Sequence, residues 1–192
     1  MQPTLFRKPT RLAMLAAVWL TTVTAPAIAQ PTEKYRARAV NPNGVAKKVD
    51  IVIYEWTTAE ERQALLDAFV EGGSQALYSA LGREGGKGTL KMPQSPAYDL
   101  QYAWQFEHEG RRRIVLASDR PTGFLELVNN IRSIDYNVSL VVLDRDPETG
   151  KGEGSVTGGA ELSIDRETGR LEIKFAGTQP ARLTKVRPQK IK

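Results

Sequence analysis

The residues best suited to bind a ligand lie in two short polar segments close to apolar residues, between predicted strands. Residues 118–121 and 132–136 each combine arginine with aspartate. Loops on a rigid scaffold commonly hold ligands, but salt-bridge networks recruit the same residue types. The favoured alternative is therefore a salt-bridge network that ties the connection containing these two segments to the sheet. The ligand-binding candidates from these segments are Asp119, Arg120, Arg132 and Asp135.

An alternating aromatic segment supplies two further candidates. From Tyr98 to Glu107, large apolar residues alternate with small or polar ones, which predicts one strand with a single apolar face. That face either belongs to the core or lines a cavity, and in a cavity Tyr102 and Trp104 would contact a ligand. The residues predicted to share the face are Tyr98, Leu100, Tyr102, Trp104 and Phe106.

Motifs for catalysis are weak. The lone histidine, His108, lies between two glutamates at a predicted hairpin tip, where a solvated turn is the favoured interpretation. Neither Gly-x-Ser-x-Gly nor Ser-x-x-Lys occurs. The glycine-rich segment 82–89 lacks the serine or threonine that follows the lysine of a phosphate loop. We therefore assign no catalytic residue and expect no cofactor.

An alternation of acids at Asp144, Asp146 and Glu148 resembles a calcium loop. Thr149 stands where such loops need glycine, however, and Ser155 stands where they need glutamate. The segment is more typical of a hairpin turn, so no metal site is predicted.

The elements that position these residues are mostly strands. A hairpin through 41–44 joins two strands, and a capping box at Thr58 and Glu61 then begins a helical region that ends at Gly82. From Tyr136 the chain reads as an antiparallel meander. We predict one α+β domain, a curled antiparallel sheet or partly closed β-barrel of about seven to nine strands, with a helical insertion after the second strand that covers one opening.

The N-terminus predicts export. Arg7, Lys8 and Arg11 precede a short apolar run, and a small-x-small site ends at Ala29. We expect residues 1–29 to be a cleaved signal peptide, 30–187 a single soluble domain and 188–192 a flexible basic tail, in the periplasm or secreted. With no cysteine in the chain, neither a disulfide nor a lipidated cysteine can form, so no stable membrane anchor is expected after cleavage.

Charge argues against one partner class. The whole chain carries +5, but cleavage after Ala29 would leave 24 basic and 22 acidic residues, or +2. Nucleic acid is therefore not an expected partner. The expected partner is a small molecule or a protein outside the cytoplasm.

Four segments of the chain resemble an uncharacterised family of secreted bacterial proteins. They are residues 49–56, 118–121, 132–136 and 179–183. The resemblance covers most of the chain after residue 29 and implies a single domain. The family has no assigned activity, so the resemblance transfers no catalytic residue.

Three functions are compatible with these patterns. The first is a non-catalytic ligand-binding or interaction module, which uses the aromatic face or the charged loops. The second is a carboxylate-dependent hydrolase, for which Glu55, Asp119 and Asp135 are the candidates. The third is an envelope-associated structural protein.

Overall fold

The computed structural model of the chain describes residues 31–41, 43–119, 138–164, 171–175 and 180–191. These residues form ten strands and one helix. In chain order the elements are β1 (Glu33–Val40), β2 (Ala46–Ile53), α1 (Ala59–Leu81), β3 (Gly88–Lys91), β4 (Ala97–Leu100), β5 (Tyr102–His108), β6 (Arg111–Ser118), β7 (Val138–Arg145), β8 (Gly152–Ile164), β9 (Leu171–Phe175) and β10 (Ala181–Pro188).

The strands form one antiparallel sheet that curls into a nearly closed barrel. Its order is β4-β3-β2-β1-β10-β8-β7-β6-β5, and β9 pairs with β8 outside this path. The two end strands, β4 and β5, are consecutive in the chain, so Gln101 joins the edges of the sheet. At the remaining seam Thr57 N donates to Ala103 O at 2.8 Å, and Ala103 N donates to Thr57 Oγ1 at 2.9 Å. The predicted fold class is confirmed, including the helix after the second strand.

The interior of the barrel is filled by side chains. Inward positions alternate along each strand, as a pleated backbone requires, and they meet in one buried apolar cluster. The largest fully buried members include Tyr35, Ile51, Leu100, Leu116 and Leu183. Within the described part of the chain, these side chains occupy the inner face of the sheet, where a ligand cavity was one of the two expectations.

The aromatic segment is not one strand with one apolar face. The chain bends at Gln101, where Lys87 N donates to Leu100 O at 2.7 Å and Gln101 N donates to Ala117 O at 2.9 Å. Leu100 thus bonds to the chain before β3, whereas Gln101 bonds to β6. The alternation of inward and outward side chains shifts by one position at this bend. Leu100 and Ala103 point into the barrel, whereas Tyr102 packs in a second cluster under α1. The predicted single face was wrong because a one-residue irregularity reverses every side chain after it.

The C-terminal strands do not all pair with the strands that come next to them in the chain. β8 pairs with β7 along one edge, while its other edge pairs with β10 at residues 152–156 and with β9 at residues 160–164. β10 also pairs with β1. The predicted meander is right for β7, β8 and β9, but β10 closes the barrel onto the first strand.

The helix begins at the predicted capping box. Glu61 N donates to Thr58 Oγ1 at 3.2 Å, and Thr58 N donates to Glu61 Oε2 at 2.8 Å. Gly73 interrupts the helix with φ 66°, which glycine adopts at little cost. Helical residues pack against the outer side of β6 and β7. The helix therefore covers a side of the barrel, and the predicted position over an opening was wrong.

Three further predictions concern the leader, the C-terminal tail and the absence of a membrane anchor. The leader, residues 1–29, lies outside the described residues, so export stays a prediction. The predicted tail boundary at 187/188 falls inside β10, and Gln189 N donates to Lys34 O at 2.8 Å. Within the described ranges, no helix combines the length and apolar character needed to span a bilayer.

Candidate ligand-binding cleft

An apolar cleft separates α1 from the outer face of β5, β6 and β7. Its volume is about 490 Å³, which lies in the range of small-molecule sites. The helix contributes the wall, and the sheet contributes the floor. The residues that line the cleft are Arg62, Leu65, Leu66, Phe69, Leu77, Leu81, Tyr102, Phe106, Arg113, Val115, Ala117, Val138, Leu140 and Val142.

The floor exists because β6 and β7 are apolar on both faces. Ile114 and Leu116 point into the barrel, so the intervening Val115 and Ala117 must point outward. Across the strand pair, Val115 lies opposite Val142, and Ala117 lies opposite Leu140. A strand that is apolar on both faces needs cover on both sides, and here α1 supplies only part of it.

The wall is a helix with two apolar stripes. Leu65 and Phe69, four residues apart, are buried against the sheet. The adjacent stripe of Leu66 and Val70 stays 39% and 70% exposed, respectively. Sequence spacing predicts that all four pack on the sheet, and the structure confirms this for the first pair alone. Leu66 forms an exposed apolar rim of the cleft, and Val70 lies one helical turn further along α1.

The polar groups of the cleft are few and lie together. The guanidinium carbon of Arg62 is 5.3 Å from the centre of the Trp104 ring, a cation–π distance. Burial raises the pKa of Tyr102, and the neighbouring Arg62 offsets this only in part. Tyr102 is therefore neutral near pH 7 and keeps a hydroxyl proton to donate. Arg62 forms no ion pair with any described residue.

The second arginine of the lining is already neutralised. Arg113 binds both carboxylate oxygens of Asp144, at 2.6 and 2.9 Å. This hydrogen-bonded pair holds the pKa of Asp144 below its usual range. Of the two arginines, Arg62 is therefore the one whose charge remains available to a ligand.

The structure brings some of the predicted site residues together. Tyr102 lines the cleft and Trp104 lies beneath Arg62. Asp119 directly follows β6, and its backbone N donates to Gln101 Oε1 at 3.1 Å. Arg120, Arg132 and Asp135 lie outside the described residues, so their assignment stays a prediction.

Sequence reasoning missed Arg62 and the outer residues of β6 and β7. The signal was present in the strands, because Val115 and Ala117 alternate with Ile114 and Leu116 and leave no polar face. The helix gave no such signal for Arg62. Its role depends on the proximity of Trp104 on a distant strand.

Glu55, a candidate catalytic carboxylate, belongs to an ion-pair cluster around the buried Lys87, although its own side chain is largely exposed. Lys87 is 5% exposed, and its Nζ lies 3.1 Å from Glu55 Oε1 and 2.7 Å from Glu61 Oε1. Hydrogen bonding to Lys87 lowers the pKa of Glu61, and the amide of Thr58 contributes to the shift. The cluster fixes the glycine-rich segment to the start of α1. The hydrolase hypothesis stays a prediction, and this arrangement gives Glu55 a structural role.

The other motifs occupy turns, as predicted. His108 ends β5 beside the Glu109-Gly110 turn, where both residues have positive φ. Asp146 accepts from the amides of Glu148 and Thr149, so its oxygens stabilise the turn. Among the described residues, no group of three or more histidine or acidic side chains is arranged to hold a metal ion.

The chain was compared with known proteins in three ways. Comparison with protein-family models, with curated proteins and with solved structures returned no match to the chain.

Proposed function

We propose that this protein is a non-catalytic binding module whose cleft takes an amphiphile with a hydrocarbon chain and a single anionic head, of the fatty-acid type. The observation that carries the proposal is Arg62, a cation without an ion-pair partner among the described residues, beside an apolar cavity of about 490 Å³. The proposed setting is outside the cytoplasm, on the basis of the predicted leader.

Charge complementarity selects the head group. A carboxylate at the cleft would pair with Arg62, and the Tyr102 hydroxyl would donate to its second oxygen. Because Arg113 is bound to Asp144, a single negative charge matches the available positive charge. A dianion would leave one charge without a partner in a mostly apolar site, which costs free energy.

The exposed apolar side chains support a chain-like occupant. Among the described residues, five large apolar side chains are exposed, and two of them, Leu66 and Phe106, line the cleft. A third, Val70, lies one helical turn beyond Leu66 on α1. Burying them under a hydrocarbon chain would stabilise the complex by about 25 cal/mol per Å² of apolar surface removed from water.

The experiment measures quenching of tryptophan fluorescence by dibromostearate. Bromine quenches indole only at short range, and Trp104 lies under Arg62 beside the cleft, whereas Trp56 packs against the interior cluster. We expect saturable quenching in the unchanged protein and at least a tenfold weaker affinity in Arg62→Gln, since about 1.4 kcal/mol of charge interaction corresponds to tenfold. The matched control, Arg83→Gln, removes an exposed arginine outside the cleft lining and should bind normally.

A matched ligand separates the chain from the head group. Octadecanol keeps the hydrocarbon and lacks the carboxylate, so its competition with dibromostearate should be weak in the unchanged protein. In Arg62→Gln it should compete as well as stearate does. An unchanged preference of the variant for stearate over octadecanol, or no quenching in the unchanged protein, would disprove the proposal.

Two other occupants have distinct outcomes. A second copy of the chain in the cleft would give a dimer in sedimentation experiments that dissociates in Leu66→Glu. Occupation by the protein's own chain would give fatty-acid binding only after residues 120–137 are replaced by a glycine-serine linker. Either result would overturn the proposal.

A further inference from the structure

A basic groove crosses the outer face of β2, β1 and β10, three strands that do not line the apolar cleft. Its volume is about 700 Å³, and its charged lining is entirely cationic. Beyond the cations, the lining contains two alanines and one glutamine. The six cations are Arg36, Arg38, Lys47, Lys48, Lys185 and Arg187.

The cations of this groove are mostly uncompensated. Arg36 is paired with Asp50 at 2.7 Å. The other five have no carboxylate within ion-pair distance among the described residues. Arg38 lies directly opposite Lys48, and Arg36 lies opposite Arg187. Like charges in opposite cross-strand positions destabilise a sheet, so solubility alone does not explain this pattern.

A bulge directs one of these lysines outward. Between Thr184 and Arg187, β10 has one residue more than β1, and the same extra residue appears in its pairing with β8. Lys185 lies in this interval with φ 54°. This left-handed backbone conformation is rare for residues other than glycine and asparagine. Val186 remains fully buried, so the bulge keeps the core in register while Lys185 lines the groove. Bulges that re-aim side chains are frequent beside functional sites.

The lining also restricts the class of ligand. Nucleic acid that is bound as a single strand stacks on aromatic side chains, and none lines this groove. A bilayer surface is flat on this scale, whereas these cations surround a concave space. A flexible linear chain fits a groove whose cations recur at about 5 Å between strands and about 7 Å along a strand.

We infer that the groove binds an acidic polysaccharide, a linear chain with repeated carboxylates, through charge pairing at Arg38, Lys48 and Lys185. The inference is independent of the fatty-acid proposal, because none of the residues that line the groove lines the cleft. Each charge pairing releases counterions from the polymer, so the affinity should fall steeply with salt.

The experiment titrates polygalacturonate into the purified protein by calorimetry at two salt concentrations. We expect binding at low salt, a weaker affinity at higher salt and no binding of the methyl-esterified polymer, which has the same backbone without charge. Arg38→Gln/Lys48→Gln should lose at least about tenfold in affinity, with a shallower salt dependence. Lys185→Asn, which tolerates the left-handed backbone, should lose about threefold.

The matched control is Arg83→Gln/Arg111→Gln, which removes two exposed arginines outside the groove. Its net charge equals that of Arg38→Gln/Lys48→Gln. Its affinity should stay within about twofold of the unchanged protein, because the total charge is not what the groove uses. Equal losses in both double variants would overturn the inference. Binding to duplex DNA or to phosphatidylglycerol vesicles as tight as to polygalacturonate, with loss in Arg38→Gln/Lys48→Gln, would overturn the assigned ligand class.

Discussion

Two outer faces of one barrel differ in almost every property. The face of β5, β6 and β7 is apolar and partly covered by α1, whereas the face of β2, β1 and β10 is cationic and uncovered by the helix. β8 lies between them in the sheet. The inward positions of both regions join the same buried cluster. Packing of the interior determines the barrel, while the outward positions remain available for separate functions.

Substitutions at the two faces should have opposite effects on stability. Residues at the apolar face are buried between helix and sheet, so their loss should destabilise the fold. Cations at the basic face repel one another, so their loss should stabilise it.

The largest effect is expected at β8, where the two faces meet. A Cβ at Gly154 would lie 2.0 Å from Val142 O on β7, and Gly154 also lies opposite Leu183 of β10. Gly154→Val should reduce the free energy of unfolding by more than about 3 kcal/mol, because neither backbone can move without disturbing the other strands. Urea unfolding measures this. Gly86→Ala, at a site with open space, is the control, and equal losses would contradict the close approach.

The next effect tests the covered face. Leu65 of α1 packs against the sheet and is only 5% exposed. Leu65→Ala should therefore lower the free energy of unfolding by about 2 to 3 kcal/mol, through lost burial and the resulting cavity. Its neighbour Leu66 belongs to the exposed rim, and Leu66→Ala should cost less than about 1 kcal/mol in the absence of ligand. Thermal and urea unfolding of both variants check the prediction. Similar losses would mean that the two helical stripes are equally packed.

The third prediction concerns pH and the start of α1. The pKa of Glu61 is lowered in the folded state by Lys87, so this pair contributes stability above the unfolded-state pKa of about 4.5 and loses it as the pH falls through the folded value. Glu61→Gln keeps the capping geometry but removes the charge. It should cost about 1 kcal/mol at pH 7 and nothing at low pH.

Glu60→Gln is the control for this measurement, because Glu60 is exposed and forms no ion pair with a described residue. Unfolding curves at several pH values should differ between Glu61→Gln and the unchanged protein only above the folded-state pKa of Glu61. A constant difference at every pH would show that the charge of Glu61 is not the cause.

The smallest effect has the opposite sign. Arg38 faces Lys48 directly, so Arg38→Gln should raise the free energy of unfolding by about 0.5 kcal/mol at low salt. The gain should shrink as salt screens the repulsion. Arg83→Gln, an exposed arginine after α1, should change stability less. A loss of stability in Arg38→Gln would contradict the contrast between the two faces.

Local sequence patterns predicted the individual elements well. The alternation of Val49, Ile51 and Ile53 predicted β2, and the spacing of Thr58 and Glu61 predicted the start of α1. These signals are local, because a pleated strand and a helix cap each depend on residues a few positions apart. β3 was missed because its four residues follow a glycine-rich stretch and carry little alternation.

The candidate sites were less predictable. Tyr102 was nominated for an inner cavity and instead lies outside the barrel, because the bend at Gln101 reverses the faces. Arg62 gains its role from Trp104, and Arg38 gains its neighbour Lys48 from the β1–β2 register. No pattern along the chain contains these distances.

The order of residues along the chain is enough to specify which residues alternate, where the helix begins and that the net charge after the predicted leader is small. Only the tertiary structure decided which apolar face became the interior, since β6 is apolar on both faces and either could have pointed inward. It also gathered a small excess of charge into one groove by pairing β10 with β1. The physical reason is that side-chain alternation is a local consequence of backbone geometry, whereas facing positions depend on contacts between residues distant in the chain.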